Sequence, residues 1–258
     1  MNYDCIIIGG GPAGLNAALV LGRARRSVAL IDNNQPRNAV SHASHGFLTR
    51  DGIAPSEFRR IAYEEVQRYP SVMHIESKVM TLCKVLGGFE VLLANGEMLQ
   101  SRKLLIASGL KDQVPNIPGL QELYGTSVFN CPYCDGWELR DQPLFVLADH
   151  HKAFHVARLV YNWSRDLVVC TNGIGVLTDD QKYILASRNV MVKEQSIAAF
   201  HGQNGHLRQI EFADGSRVDR TGGFIAPKLR QQAVFCEELG YAITETGGIW
   251  TDDAGVSS

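Results

Sequence analysis

Short β-branched runs alternate with longer apolar or amphipathic stretches along most of the chain, a pattern that predicts strands and helices in alternation. Asp4-Cys5-Ile6-Ile7-Ile8 predicts a buried strand. The turn Gly9-Gly10-Gly11-Pro12-Ala13-Gly14 follows, and then a helix over Leu15–Arg25, apolar around most of its circumference. Ser27-Val28-Ala29-Leu30-Ile31 predicts a second buried strand, closed by Asp32. Together these form a βαβ unit of about 30 residues. A polar, turn-forming loop over 33–44 precedes an amphipathic helix at Glu57–Tyr69, with Phe58, Ile61, Ala62 and Val66 on one face. Val79–Val85 and Phe89–Leu93 predict antiparallel strands about Gly87-Gly88, and Asn95-Gly96 marks another hairpin turn. Lys103–Ala107 predicts a strand entering Ser108-Gly109.

Two prolines and a glycine in Val114-Pro115-Asn116-Ile117-Pro118-Gly119 break any regular element and predict a linker. Past it the alternation restarts. Strands are expected at Pro143–Ala148, Asp166–Thr171, Val190–Lys193 and Phe224–Ala226, with a hairpin of Leu207–Phe212 and Arg217–Val218 about Asp214-Gly215. Helices are expected at Lys152–Ser164, Asp179–Ser187 and near Gln231–Leu239. The fold class expected is therefore α/β, with two tandem Rossmann-like (three-layer ββα) nucleotide-binding domains.

Composition removes several function classes. The 258 residues include 45% apolar and 20% charged side chains, with 25 Lys and Arg against 27 Asp and Glu. A formal net charge of −2 gives no electrostatic reason to expect a nucleic-acid or membrane-surface partner. No apolar run approaches the ~20 residues of a membrane span. The N-terminus enters a strand within a few residues, so no secretory signal is expected and a cytoplasmic location is.

Glycine spacing alone is a weak signal. Here Gly9-x-Gly11-x-x-Gly14 leaves a buried strand and opens a helix, and Asp32 follows at the end of the next strand. Gly9 permits the tight turn, Gly11 lets the backbone approach a pyrophosphate, and Gly14 lets helix and strand pack closely. The helix N-terminus offers N–H groups and partial positive charge to phosphates, and Asp32 can accept from a ribose diol. An ADP-containing cofactor is the expectation. The equivalent turn of the second unit, Leu147-Ala148-Asp149-His150-His151-Lys152-Ala153, has no glycine and carries an acid. It should resist a pyrophosphate, and Thr171-Asn172-Gly173-Ile174-Gly175 after the next strand offers no arginine for a 2′-phosphate.

Of six cysteines, Cys5, Cys83, Cys170 and Cys236 stand alone in apolar or strand-like segments and read as small buried hydrophobes. Cys131-Pro132-Tyr133-Cys134 is different: a single CxxC points to redox chemistry or half a zinc site. No second CxxC and no histidine pair at ligand spacing accompanies it, so no metal site is expected. Two sulfurs so spaced at the start of a helical turn can close a small disulphide ring, and nearby N–H groups favour a thiolate. Asp135 adjoins Cys134 and could shuttle a proton to or from a departing thiolate, or serve simply as a turn acid.

With these motifs placed, the chain resembles the low-molecular-weight thioredoxin reductase family of FAD-dependent disulphide oxidoreductases. The resemblance runs through Gly9–Gly14, Leu105-Ile106-Ala107-Ser108-Gly109, Cys131-Pro132-Tyr133-Cys134-Asp135-Gly136 and Gly248-Ile249-Trp250-Thr251-Asp252. Arg37-Asn38 and His45-Gly46-Phe47 resemble a branch that includes gliotoxin- and holomycin-type dithiol oxidases and flavin reductases independent of NADPH. The resemblance implies an FAD-binding domain over 1–114 plus 246–258 and an NADPH-binding-like domain over 115–245 that carries the CxxC. It implies FAD held by Gly9, Gly11, Pro12, Ala13, Gly14, Asp32, Arg37, Asn38, His45, Val79, Ala107 and Gly109. It implies Cys134 as the sulfur facing the flavin, Cys131 as the sulfur exchanging with substrate, and Asp135 as acid/base, with two electrons passing between flavin and disulphide.

Two departures shape the remaining expectations. The glycine-free second turn argues against NADPH as electron donor. The family's segment beyond Thr251-Asp252 is cut short at Ser258, so either a longer protein or weakly held flavin is expected. Partners implied are a thioredoxin-like protein or a small dithiol, a protein donor such as ferredoxin, and a second copy in a homodimer. The alternatives are a dithiol oxidase using O₂ and a redox-inert scaffold without stable FAD.

Overall fold

The computed structural model describes residues 2–231, 235–245 and 247–257. In chain order the elements are β1 (Asn2–Ile8), α1 (Pro12–Arg23), β2 (Val28–Asp32), α2 (Pro55–Gln67), β3 (Val72–Glu76), β4 (Val79–Val85), β5 (Gly88–Leu93), β6 (Met98–Ile106) and β7 (Leu110–Gln113). There follow α3 (Leu120–Leu123), β8 (Val128–Phe129), α4 (Pro132–Asp135), β9 (Leu144–Leu147), α5 (Ala153–Val160), β10 (Leu167–Cys170), α6 (Asp179–Ala186) and β11 (Met191–Lys193). The last are β12 (Ile197–Gln203), β13 (His206–Phe212), β14 (Arg217–Asp219), β15 (Gly222–Ile225), β16 (Lys228–Gln231) and α7 (Cys236–Leu239). Part of the helix expected near Gln231–Leu239, residues 232–234, lies outside the described residues, as do Thr246 and Ser258 at the limits of the expected C-terminal segment.

By packing, the chain forms two compact units, one of Met1–Ala39, Pro55–Asp112 and Leu229–Ser258, the other of Val40–Ala54 and Gln113–Lys228. In the first, six strands run in the order β3-β2-β1-β6-β5-β4. The core strands β3, β2, β1 and β6 pair in parallel, with Ile7 opposite both Leu30 and Leu105, while β5 and β4 add on antiparallel. Strand β1 is apolar on both faces because both are covered. Ile6 and Ile8 join Ile31, Leu82 and Val91 on one side, and Cys5 and Ile7 meet Leu15, Ala18 and Val66 of α1 and α2 on the other. Fully burying Ile6 or Ile7 stabilises the fold by roughly 1.5–3 kcal/mol each. The order reverses between β1 and β6, so the crevice of this sheet opens at Gly9 and Ala107, where a nucleotide fold places its ligand.

In the second unit β11-β10-β9-β15-β8 form a parallel sheet, reversing between β9 and β15. One face packs on α5 and α6, and the other on the antiparallel sheet β12-β13-β14 and α3. Strands β7 and β16 pair as a separate ribbon. The proline-rich segment read as a linker is anchored: Val114 and Ile117 pack into the second core.

Candidate functional site: a glycine cradle and a redox disulphide

In the first unit the glycine turn is shaped by its neighbours. Gly9 has φ of +110°, and a Cβ there would collide with the Ala107 carbonyl. Main-chain bonds fix the turn to both flanking strands: Gly9 N–H donates to the Ile31 carbonyl at 2.8 Å and Ala107 N–H to Ile8 at 2.8 Å. A Cβ on Gly14 would strike the Gly9 carbonyl oxygen and lie 3.3 Å from Ile7 Cγ2, so α1 can descend onto β1 only through glycine. Gly11 is the exception, since its Cβ would meet nothing within 4 Å. It is the N-cap of α1, with Pro12 next and no side-chain cap. The first-turn N–H groups therefore have no side-chain cap and adjoin open space, with Pro12 and Ala13 exposed beside them.

Asp32 ends β2 with its Oδ2 taken by two donors that sequence reasoning missed. Arg59 Nη2 donates at 2.5 Å and the Tyr63 hydroxyl at 2.9 Å. Arg59 Nη1 also donates to Asn34 Oδ1 at 2.9 Å, so one guanidinium ties the end of β2 to the loop after it. Gly10 faces this group, with room for no Cβ between the Tyr63 hydroxyl and Asp32. Burial and the Asp32 charge push the Tyr63 phenol up to about 12, so it stays a donor. The available signal was two polar residues spaced i, i+4 on the helix that follows β2.

Of the other expected cofactor residues, Arg37, Asn38, Val79 and Gly109 lie in the first unit and His45 in the second. Arg37 is gripped by Asp112 through Nε at 2.8 Å and Nη2 at 2.5 Å. Asn38 is exposed on the short helical turn Arg37–Val40. Val79 puts its side chain into the first core. Gly109, at φ of +72°, follows Ala107 with open space about it. His45 falls in the second unit, among the residues around the disulphide.

There Cys131 and Cys134 are joined as a disulphide, with Cα atoms 5.3 Å apart. Cys131 caps α4 and its carbonyl accepts from Cys134 N–H at 3.1 Å and Asp135 N–H at 3.2 Å, so proline and the turn hold both sulfurs on one side. The turn leans on Trp163: Tyr133 meets that indole edge-on at 5.4 Å, and a Cβ on Gly136 would sit 2.7 Å from it. Both cysteines and Asp135 are half-buried. Burial first, and the neighbouring Glu138 second, push the Asp135 carboxyl up to about 6, against a smaller opposing effect of His45. Asp135 thus keeps its proton to near-neutral pH, as an acid for a leaving thiolate needs.

The same displacement predicts a stability effect. Asp135 holds its proton more tightly folded than unfolded, so native stability falls as pH rises from about 4 to about 6 and stays lowered above. Solvent screening of this half-exposed group reduces the full linkage to about 1–2 kcal/mol. Asp135→Asn is expected to be more stable than wild type by that amount at pH 7.5, with the gain vanishing at about pH 4. Urea unfolding at the two pH values checks it.

In the glycine-free turn of the second unit, one histidine side chain reaches the neighbouring strand end. His150 Nδ1 faces the Lys152 N–H at 3.4 Å, which leaves the ring proton on Nε2, 3.0 Å from the Ala226 carbonyl. The imidazole therefore bridges the ends of β9 and β15 where the strand order reverses. Of the lone cysteines, Cys5 and Cys170 are buried as expected, burial pushing Cys170 up to about 12. Cys83 is exposed instead, because β4 alternates and its position faces outward. The Cys236 side chain lies outside the described residues.

A model of pyridine nucleotide-disulphide oxidoreductases matches residues 3–173. The chain belongs to this family. Among solved structures, TrxB of Bacillus anthracis aligns at 44% identity with a TM-score of 0.94, over 99% of this chain and 86% of that one. HlmI aligns at 38% identity and 0.92, over 100% of this chain and 81% of that one. Thioredoxin reductase tcpT of Claviceps purpurea is 34% identical, over 83% of this chain and 70% of its own. As a pyridine nucleotide-disulphide oxidoreductase this protein is a thioredoxin-reductase-like enzyme, and both of its units carry the parallel sheets the family fold requires. No helix among the described residues is long and apolar enough to cross a membrane.

Proposed function

We propose that this oxidoreductase uses FAD to oxidise or reduce a thiol partner through Cys131 and Cys134, the partner being a small dithiol or a thioredoxin-like protein. The observation that carries the reading is the Cys131–Cys134 disulphide with a protonatable Asp135 directly after it. The cradle at Gly9–Gly14 fits the pyrophosphate of FAD, since Gly11 is backed by open space and the α1 N–H groups are uncapped. Asp32, with Oδ2 held by Arg59 and Tyr63, keeps Oδ1 for a ribose hydroxyl. Bound FAD supplies the two-electron store that the dithiol loads or empties.

On the chain itself, a substrate thiolate attacks Cys131 Sγ and the S–S bond breaks, its electron pair leaving on Cys134 Sγ. Asp135 protonates that leaving sulfur. The substrate's second thiol then displaces Cys131, so the substrate leaves as a disulphide and the protein holds two thiols. The reverse order reduces a disulphide partner.

The second turn does not fit a nicotinamide dinucleotide: its backbone carries side chains throughout, and His150 spans the crevice to Ala226. We infer that electrons enter or leave by thiols or another partner, with O₂ or a protein carrier such as ferredoxin at the other end. One spectrum tests the reading. Freshly purified protein is expected to be yellow, to bleach on dithiothreitol under argon, and to keep its colour with NADPH. Flavin that dithiothreitol cannot reduce sinks the disulphide reading, and rapid bleaching by NADPH sinks the inference about the second turn.

A further inference from the structure

Arginines held on aromatic rings flank the redox turn, all within the second unit. Tyr133, between the two cysteines, is 74% exposed, and Trp137, three residues past Cys134, is 65% exposed. Trp137 carries Arg140: the guanidinium lies 4.1 Å from the indole centroid, and its Nη1 donates to the Trp137 carbonyl at 2.6 Å. A second set is joined to the turn through Trp163, which meets Tyr133 edge-on and whose carbonyl accepts from Asp141 N–H at 2.9 Å. Two residues before Trp163, the Tyr161 ring carries the guanidinium of Arg165 at 4.2 Å and that of Arg188 at 5.5 Å. Arg165 Nη1 also donates to the Tyr161 carbonyl.

Elsewhere arginines of this chain meet carboxylates, as Arg37 meets Asp112 and Arg220 meets Asp166. Arg140, Arg165 and Arg188 are exposed and form no ion pair among the described residues. A guanidinium stacked on a ring keeps its outer N–H donors for a partner. It has also already given up much of its side-chain freedom, so a carboxylate docks there with less loss of entropy. Of the acids on the same stretch, Glu138 faces His45 at 3.6 Å and Asp166 faces Arg220 at 3.4 Å. Asp141 is exposed and Asp135 half-buried, with a carboxyl pushed up to about 6.

We propose that Tyr133, Trp137 and the ring-held Arg140, Arg165 and Arg188 form the docking face for the thiol partner, and that this partner is a small protein of thioredoxin kind with carboxylates beside its dithiol. This deepens the function proposed above and rests on exchange at Cys131–Cys134. A small dithiol that touches the sulfurs brings no carboxylates and does not extend past Trp163 to the Tyr161 arginines. A folded partner covers both exposed rings and meets the guanidiniums on either set. Atoms balance as before: the partner's two sulfurs join as a disulphide, the Cys131–Cys134 bond breaks, and the partner's two thiol hydrogens end on Cys131 and Cys134.

The test follows opening of the disulphide in the full chain by thiol alkylation and mass measurement, with two reductants. One is a reduced thioredoxin of acidic surface, and the other is dithiothreitol, which is uncharged. The readout is the ratio of their rate constants, thioredoxin over dithiothreitol, so a change in the turn itself cancels. In wild type the ratio is expected to fall at least about fivefold between about 20 and about 300 mM salt. Arg140→Glu with Arg165→Glu is expected to lower it at least about tenfold at low salt and to flatten the salt dependence, and the two glutamine changes to lower it less. Arg208→Glu, the same charge change on β13, should keep the ratio within about twofold. A ratio unmoved by the glutamate pair, or lowered as far by Arg208→Glu, overturns the proposal. Opening by dithiothreitol leaves the exchange reading standing in that event. A disulphide that neither reductant opens ends that reading and this proposal with it.

Discussion

Cys134→Ser is expected to slow dithiol-driven turnover on the order of 10³-fold or more, the scale on which removing a nucleophile or its leaving partner acts. Without Sγ at position 134 no internal disulphide exists for a substrate thiolate to open, and no resolving thiol remains. Cys131 is left single, with the Pro132 turn still presenting it. Incubation with glutathione disulphide should therefore leave a stable mixed disulphide on Cys131, visible as one added glutathionyl group by intact mass. Cys131→Ser should lose turnover equally but take up glutathione at Cys134 far more slowly, if Cys131 is the exchanging sulfur. Turnover within tenfold of wild type in either serine variant would refute the cysteine assignment.

Gly14→Ala is expected to cost about 2–4 kcal/mol and to empty the first unit of flavin. The new methyl cannot coexist with the Gly9 carbonyl, and Ile7 Cγ2 at 3.3 Å closes the other direction. Helix α1 must lift from β1, which opens voids around Leu15 and Ala18. Gly11→Ala is the informative partner. Its methyl would enter open space, so stability should stay within about 1 kcal/mol of wild type while flavin affinity falls at least about tenfold. Urea titrations and flavin-to-protein absorbance ratios on both variants measure this. Equal flavin loss per unit of destabilisation in the two would mean that the turn serves packing alone.

Much of the core was legible in sequence because its strands are covered on both faces. Cys5–Ile8 and Leu144–Leu147 are continuous apolar runs, and each proved fully buried or nearly so. The missed strands lack that signature. β3 is the edge strand Val72–Glu76, with a histidine and a glutamate in five residues and only partial burial. β12 reads Ile-Ala-Ala-Phe-His-Gly-Gln, poor in strand-forming residues, and forms because Ile197 and Phe200 reach the second core. Among site residues, the glycine turn and the CxxC were legible because each encodes its own backbone geometry within a few positions. Arg59 and Tyr63 were not, since their purpose is a carboxylate about thirty positions earlier. His45 sits in a loop that packs with the second unit, a placement no local pattern records.

The His150 imidazole reaches from the end of β9 to the Ala226 carbonyl after β15. If this side chain excludes NADPH, as proposed above, the enzyme is insulated from swings in the NADPH pool. Its degree of reduction would then follow the thiols and oxygen around it rather than a nucleotide pool.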